Sequence, residues 1–419
     1  MNIIILVGSY FPKYSAVGIC AKNICEELAN RGHEVYVISQ KTSYKESDNV
    51  ELFRIHICRI STHLHDVLLY SSSQSLNPFK KIVKKIINLS VRLVRHGLSV
   101  FGFTNLSKDF LKSYYNQIVK ISNEVKIDVL IPFCFPFETC LAAGKYKAVF
   151  PEVRLYPFLM DRYALSTSLH RYNWNKELKL SNHIRLENQI MKQSDKIFYL
   201  NSWEKSMTCY HRQFLNKAIK TEHPLLVKIH TDEIVKYKKE VINIVYTGAL
   251  LRKVRNPDCC FRIFDILMNN RNDVYLHIYG PGDCADLVNS LKNKHKDSIF
   301  YYGSVSSEIA HAAIINADYL LSIGNSDIEQ VASKNFEYIS TGNPIIHFSK
   351  SQKDPVNALL GRYSNSLIIY ENEISDNIYQ IVNNLSDFLR NDSEKISFSK
   401  VQSLFSEALP STVCDLMTL

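Results

Sequence analysis

The chain opens Met1-Asn-Ile-Ile-Ile-Leu-Val-Gly8-Ser-Tyr-Phe-Pro-Lys-Tyr-Ser-Ala-Val-Gly18 and runs on to Leu28-Ala-Asn-Arg-Gly-His-Glu-Val35. Ile3 to Val7 is a short, unbroken apolar run, the pattern of a strand buried on both faces. Gly8 follows, then a loop over Ser9 to Val17. The spacing predicts a helix from about Gly18 to Arg31, with Ile19, Ile24 and Leu28 on its inner face. Gly32 sits where a left-handed helix end is wanted, and Glu34 to Ser39 reads as a second strand. Strand, helix and strand in this order is the unit of a mostly parallel sheet.

The pattern repeats outward from this unit. Further strands are expected at Val50–Ile60, Val129–Pro132, Ala148–Val153 and Lys196–Leu200, with helices at Leu106–Ser122 and Trp174–Gln193. A polar, charged stretch, His230 to Glu240, interrupts the alternation. It then restarts, with strands at Asn243–Thr247, Val274–Tyr279, Ile299–Tyr302, Tyr319–Ile323, Pro344–Phe348 and Leu367–Tyr370. Helices are expected between them at about Asp258–Met268, Ala285–Lys294, Ser306–Asn316, Asn335–Thr341 and Ser375–Arg390. The 419 residues have room for two or three domains. The expected fold is α/β, two doubly wound domains facing a cleft. One spans 1–223 and the other 224–395, with a C-terminal helix of about 396–419 packing back on the first and a linker somewhere in 222–241.

Composition excludes several classes. Apolar residues at 46% and charged residues at 22% exclude a disordered or collagen-like chain. The net charge of +9 is concentrated in one place. From Val67 to Lys108 there is no Asp or Glu, but there are Lys80, Lys81, Lys84, Lys85, Arg92, Arg95 and Lys108. A uniformly basic nucleic-acid binder is therefore not indicated. Projected on a helix, Ile82, Val83, Ile86, Ile87, Leu89, Leu93 and Val94 fall on one side and the cations on the other. A basic helix over 79–96 suits an anionic membrane surface or an acidic partner, against the plainer reading of a core helix with a solvated basic face. The ten cysteines show no C-x-x-C pair and read as reduced thiols of a cytoplasmic protein. The N-terminus has no basic leader, and no apolar run reaches the length of a membrane span.

In open parallel sheets ligands bind beyond the carboxyl ends of the strands, so the loops there carry the candidate chemistry. Gly248-Ala-Leu-Leu-Arg-Lys-Val-Arg-Asn-Pro257 joins a strand to a helix. Arg252, Lys253 and Arg255 oppose the dipole of that helix, and an anion held between them and the helix start would account for this. In Asp327-Ile-Glu-Gln-Val-Ala-Ser-Lys-Asn-Phe-Glu337, Ser333 reads as an N-cap and the amides near Ser333 and Lys334 as a phosphate cradle. Glu329 and Glu337 suit the hydroxyls of a ribose or hexose. The opening loop lacks G-x-G-x-x-G, so it is not a dinucleotide fingerprint.

Taken together these segments resemble the retaining glycosyltransferases of family 4, of the type used in surface polysaccharide biosynthesis, with the GT-B fold of two Rossmann-like domains. The resemblance rests on Ser9-Tyr-Phe-Pro…Gly18…Arg31-Gly-His-Glu-Val35, Val245-Tyr-Thr-Gly248…Arg255-Asn-Pro257, Gly303, Ala317-Asp318, and Glu329-x7-Glu337 followed by Gly342-Asn-Pro344. It implies transfer of a sugar from a nucleotide diphosphate sugar to a glycan or lipid-linked acceptor, with the anomeric configuration retained and no cofactor. Carried onto this sequence, Arg255 would hold the diphosphate, Glu337 the ribose and Glu329 the donor sugar. Gly248, Arg252, Lys253, Gly303, Ser333 and Lys334 would line the donor site, and Gly18 would admit the backbone to the ligand. There are departures: one glycine rather than two before the first helix, Ala249 where the family has Arg, and Asp161, in Pro157-Phe-Leu-Met-Asp161, where it has His. No metal is implied, and no Asp-x-Asp occurs to hold one beside a diphosphate. The expected setting is cytoplasmic, peripheral on the inner face of the cell membrane. Two other readings fit the same residues: an inactive GT-B partner subunit or nucleotide-sugar sensor, and a nucleotide-sugar epimerase.

Overall fold

The computed structural model describes residues 1–73, 106–166, 174–326, 333–390 and 394–418, and between 82 and 101 the positions Ile82, Lys85, Ile86, Leu89, Ser90, Leu93, Val94, Gly97, Leu98, Val100 and Phe101. The chain divides into two compact units, Met1–Pro224 with Pro410–Leu419, and Leu225–Leu409.

Unit 1 begins with β1 (Asn2–Ser9), α1 (Ala16–Asn30) and β2 (Glu34–Gln40). Next come β3 (Asn49–Leu52), β4 (Ile55–Ile60), α2 (His63–Ser73), α3 (Lys108–Ser122), β5 (Val129–Pro132), α4 (Glu138–Val149) and β6 (Arg154–Leu155). These strands form one sheet in the order β3-β4-β2-β1-β5-β6, parallel except for the β3–β4 hairpin. Central β1 pairs Ile3 with Val35 on one side and with Val129 on the other. It is buried on both faces, and each such side chain contributes about 1.5–3 kcal/mol. A second, three-stranded sheet holds β7 (Phe158–Leu159), β8 (Ile197–Tyr199) and β9 (Ala218–Lys220), with α5 (Lys176–Gln193) and α6 (Glu204–Tyr210) beside it in sequence.

Unit 2 alternates more regularly. It runs β10 (Ile242–Thr247), α7 (Asp258–Asn270), β11 (Val274–Tyr279), α8 (Ala285–Lys294), β12 (Ile299–Gly303), α9 (Ser307–Ile315), β13 (Tyr319–Ile323) and α10 (Lys334–Thr341). It ends with β14 (Ile345–Ser349), α11 (Pro355–Leu360), β15 (Ser366–Tyr370), α12 (Ile374–Arg390) and α13 (Phe398–Leu404). The sheet order is β12-β11-β10-β13-β14-β15, all parallel. The chain builds outward from β10 to β12, then crosses back to lay β13 on β10's other side. The core under one face joins Ile244, Leu276, Ile278, Phe264, Leu267, Val382 and Leu385.

Some expectations need correction. Val50–Ile60 is not one strand, because Phe53-Arg54 turns the chain with Arg54 at φ 52. Ala148–Val153 is not a strand: α4 continues through Val149 and the strand follows at Arg154. Ile19 points outward from α1 and is exposed. The C-terminal return is shorter than 396–419. Residues 396–409 stay with unit 2, where Ile396 donates to the Gly342 carbonyl at 2.9 Å. Only the last helix, α14 (Pro410–Thr418), joins unit 1, where Arg31 reaches Asp415 at 2.6 Å and the Ser411 carbonyl at 2.8 Å.

Candidate functional site

In unit 2 the direction of winding reverses between β10 and β13, and two loops leave the sheet there. Their residues are knitted together. Arg255 Nε donates to Asn325 Oδ1 at 2.7 Å, and the Ser326 amide and hydroxyl donate to the Val254 carbonyl at 2.8 and 3.1 Å. The guanidinium also lies beside Tyr246, whose hydroxyl donates to the Ala249 carbonyl at 3.1 Å and whose proton burial holds more tightly than usual. Beside this lies Gly248, and beyond it Gly280. A Cβ on Gly280 would fall 1.9 Å from the Gly248 carbonyl oxygen, so the loops after β10 and β11 run side by side only because glycine stands there. Gly303 closes β12, its carbonyl accepting from the Gly280 amide at 2.6 Å.

The other wall is α10. Tyr338 fastens it to β10: the Thr247 amide donates to its hydroxyl at 2.8 Å, and the hydroxyl donates on to the Thr247 carbonyl at 3.2 Å. Burial pushes this phenol up to about 12, with Glu337 adding to the rise and Arg255 opposing it, so Tyr338 senses both groups. Lys334 Nζ lies 2.6 Å from Glu337 Oε2, and His311 of α9 stands 3.6 Å from the same oxygen. Burial alone would raise the Glu337 carboxyl. His311 and Lys334 outweigh it and hold Glu337 below the usual carboxylate range, as an anion ready to accept from a diol.

The structure therefore joins Gly248 and Arg255 at the switch point and groups Ser333, Lys334 and Glu337 at the start of α10. One expectation changes: Ser333 is already helical in its backbone and makes no capping bond through its side chain. Arg252 pairs its guanidinium with Asp286 of α8 while its amide donates to Asp283 at 2.8 Å. Lys253 is exposed. Glu329 lies outside the described residues.

In unit 1 Gly18 occupies the first turn of α1, capped by Ser15, whose hydroxyl accepts from the Gly18 amide at 3.0 Å. A Cβ on Gly18 would lie 2.2 Å from the Ser9 carbonyl, so β1 and α1 meet closely only through glycine. Asp161 follows β7, and burial lifts its carboxyl above the ordinary range against the pull of His223 and Arg162. His223 and Glu222 follow β9, and neither is singled out by any sequence motif. The His223 amide donates to Glu222 Oε1 at 2.8 Å and its Nδ1 lies 2.6 Å from that oxygen. Burial would raise Glu222, but His223 outweighs it and keeps the carboxyl low. The loop bearing Asp161 is held from beneath. The Ala164 amide donates to Glu187 Oε1 at 2.8 Å, and Glu187 Oε2 meets the fully buried His211 at 2.9 Å. Among the described residues no group of three or more His, Cys, Asp or Glu side chains is arranged to hold a metal ion.

No family model and no curated relative matches the chain. Solved structures do. Sucrose-phosphate synthase from Thermosynechococcus elongatus aligns over 99% of this chain and 98% of its own, at 12% identity and a TM-score of 0.59. WaaG, a glycosyltransferase involved in lipopolysaccharide biosynthesis, covers 100% of both chains at 10% identity and 0.54. A putative UDP-N-acetylglucosamine 2-epimerase from Listeria monocytogenes covers 99% and 94% at 11% and 0.54. The chain has the GT-B fold, with two Rossmann-like domains.

Proposed function

We propose that the protein is a retaining, metal-independent glycosyltransferase of the family 4 type. It moves a sugar from a nucleotide diphosphate sugar to a glycan or lipid-linked acceptor, at an anionic membrane surface, in the synthesis of a surface polysaccharide. One observation carries the reading: a guanidinium held by Asn325 in the loop after β13 and a lysine-flanked carboxylate at the start of α10, the helix that Tyr338 fastens to β10, meet where the unit 2 sheet reverses. As the glycosidic bond to phosphate breaks, negative charge grows on the departing diphosphate. Arg255, Lys334 and the amides opening α10 are fixed donors for that charge, already in place before it develops. Glu337 accepts from the two ribose hydroxyls, Glu329 from the donor sugar. In unit 1, Asp161 and the Glu222–His223 pair offer the acceptor hydroxyls a carboxyl of raised proton affinity beside a carboxylate of lowered one.

The test is a thermal-shift panel of nucleoside diphosphates, followed by transfer of labelled sugar from the donor whose base binds. A ligand bound only by the native state raises Tm, by about 2.7 kcal/mol of stabilisation at a hundredfold excess over Kd. No shift with any of them refutes the donor site. The Listeria structure gives the epimerase reading the same fold, and nucleotide or sugar turnover without any acceptor would favour that reading.

A further inference from the structure

The donor site leaves the basic segment of unit 1 unexplained. Its described positions, Ile82, Lys85, Ile86, Leu89, Ser90, Leu93, Val94, Gly97, Leu98 and Val100, have helical backbone. Ile82, Ile86, Leu89 and Leu93 recur at steps of four, three and four, which puts them along one face. That face is not packed into the protein: all four are more than half exposed, as is Val94. The plainer reading, a core helix with a solvated basic side, requires the opposite.

A second element lengthens the apolar surface. Asn175, at the start of α5, donates through Nδ2 to the Val100 carbonyl at 2.6 Å. Each bonded residue has a large aromatic neighbour in the chain, and both are bare: Phe101 is 74% exposed and Trp174 is 71% exposed. Leu178, one turn further along α5, is also exposed. Apolar side chains on two elements tied together, with none of them covered, mark a docking surface. Its charge identifies the occupant. Between Val67 and Lys108 the chain has seven Lys or Arg and no acid. Basic residues flanking an apolar stripe, with an aromatic pair at its end, match the layered chemistry of a leaflet: anionic headgroups above, acyl chains below, and an interface that favours Trp and Phe.

We infer that this surface, made by Ile82, Ile86, Leu89, Leu93, Val94 and Phe101 with Trp174 and Leu178, inserts into an anionic lipid leaflet by its apolar side chains, the lysines and arginines of the segment serving to draw it there. The inference rests on the membrane part of the proposed function and names the residues that make the contact, but it does not need sugar transfer: the contact is with lipid whether or not a donor is bound.

Trp174 reports on it directly. The chain has two tryptophans, and Trp203 is already fully buried. The full-length protein, without donor, is titrated with vesicles of phosphatidylcholine alone or with roughly a third phosphatidylserine. The expected result is a blue shift of Trp emission and co-sedimentation with the anionic vesicles only. Raising salt from about 0.1 to about 1 M, which shortens the screening length from roughly 10 to 3 Å, should weaken the initial attraction. Phe101→Ser and Leu93→Ser should each weaken partitioning about tenfold at low salt, and replacing Lys80, Lys81, Lys84 and Lys85 by Gln roughly fivefold per lysine. Lys85, Leu93 and Phe101 are exposed, and unchanged Tm certifies each variant. Absence from the pellet at low salt overturns the inference. So does binding that Phe101→Ser and Leu93→Ser leave untouched, since the contact is then electrostatic only. A blue shift that follows protein concentration without lipid assigns the surface to a second copy of the chain and also overturns it. A protein that binds vesicles yet transfers no sugar refutes the proposed function and leaves this inference standing.

Discussion

Asn325→Ala should impair transfer chiefly by releasing Arg255, and a double-mutant cycle tests this. Arg255 Nε–H is committed to Asn325 Oδ1 at 2.7 Å, and the other side of the guanidinium faces Tyr246 and Gly248. The fork is therefore fixed by a contact from β13's loop onto a residue of β10's loop. Removing the guanidinium with Arg255→Met takes away a preorganised charged donor, about 3 kcal/mol or roughly 10²–10³ in kcat. Asn325→Ala keeps the charge but releases one hydrogen bond to it, about 1.5 kcal/mol or roughly tenfold. In the double variant the Nε–Oδ1 bond is already gone, so the loss of Asn325 should cost less than it does with Arg255 in place. The coupling energy should be about the 1.5 kcal/mol of that bond. Arg255→Lys should recover little, because an ammonium on a flexible stem does not reproduce the fork. The assay is steady-state release of nucleoside diphosphate at saturating acceptor, with Tm measured for each variant. If the two single effects multiply, Asn325 acts on its own account. The picture of one clamp spanning the switch point then fails.

Three further outcomes follow from named contacts. Glu337→Gln removes the charge that accepts from ribose, about 2 kcal/mol, so donor KM should rise roughly 30-fold with kcat little changed, and an equal fall in kcat would move Glu337 out of ground-state binding. Gly280→Ala places a Cβ 1.9 Å from the Gly248 carbonyl, so unit 2 should lose about 3 kcal/mol and nucleotide binding with it; a wild-type Tm would contradict the close approach. His277 donates from Nε2 to Asn243 Oδ1 and accepts at Nδ1 from Tyr302, each at 3.1 Å, and burial pushes it down to about 4. An unfolded histidine titrates near 6.5, so the unfolded chain binds more protons between the two values. The stabilisation is full above about pH 6.5 and is lost as pH falls toward 4, by about 3 kcal/mol in all. Hydrogen exchange of the β11 and β12 amides, corrected for intrinsic rates, should show that opening; a profile as flat as that of His277→Gln would refute it.

What could be read from the sequence was local, and what could not was made by distant residues meeting. Strands buried on both faces announce themselves as continuous apolar runs, so β1, β5, β11 and β13 stand close to where the pattern puts them. The same signal fails at Ala148-Val-Phe150, because a short apolar run does not distinguish a strand from the end of a helix, here the exposed end of α4. The turn at Phe53-Arg54 contains no Gly, Pro or Asn and so gives no warning. At the candidate site, Gly248, Arg255 and Glu337 sit in contiguous motifs, so the sequence alone points to them. It does not point to Asn325, His311, Glu222 and Glu187, since each matters through a partner brought close by the fold. Arg252 shows the cost of reading charge without topology. In sequence it is as good a phosphate ligand as Arg255, three residues on. In the fold, Asp286 opens α8 next to it and claims the cation, while Arg255 is turned inward by Asn325. The two neighbouring arginines are thus turned different ways by a carboxylate and an amide more than thirty residues away, in segments that carry no motif of their own, and this is why the proposed function gives the diphosphate to Arg255.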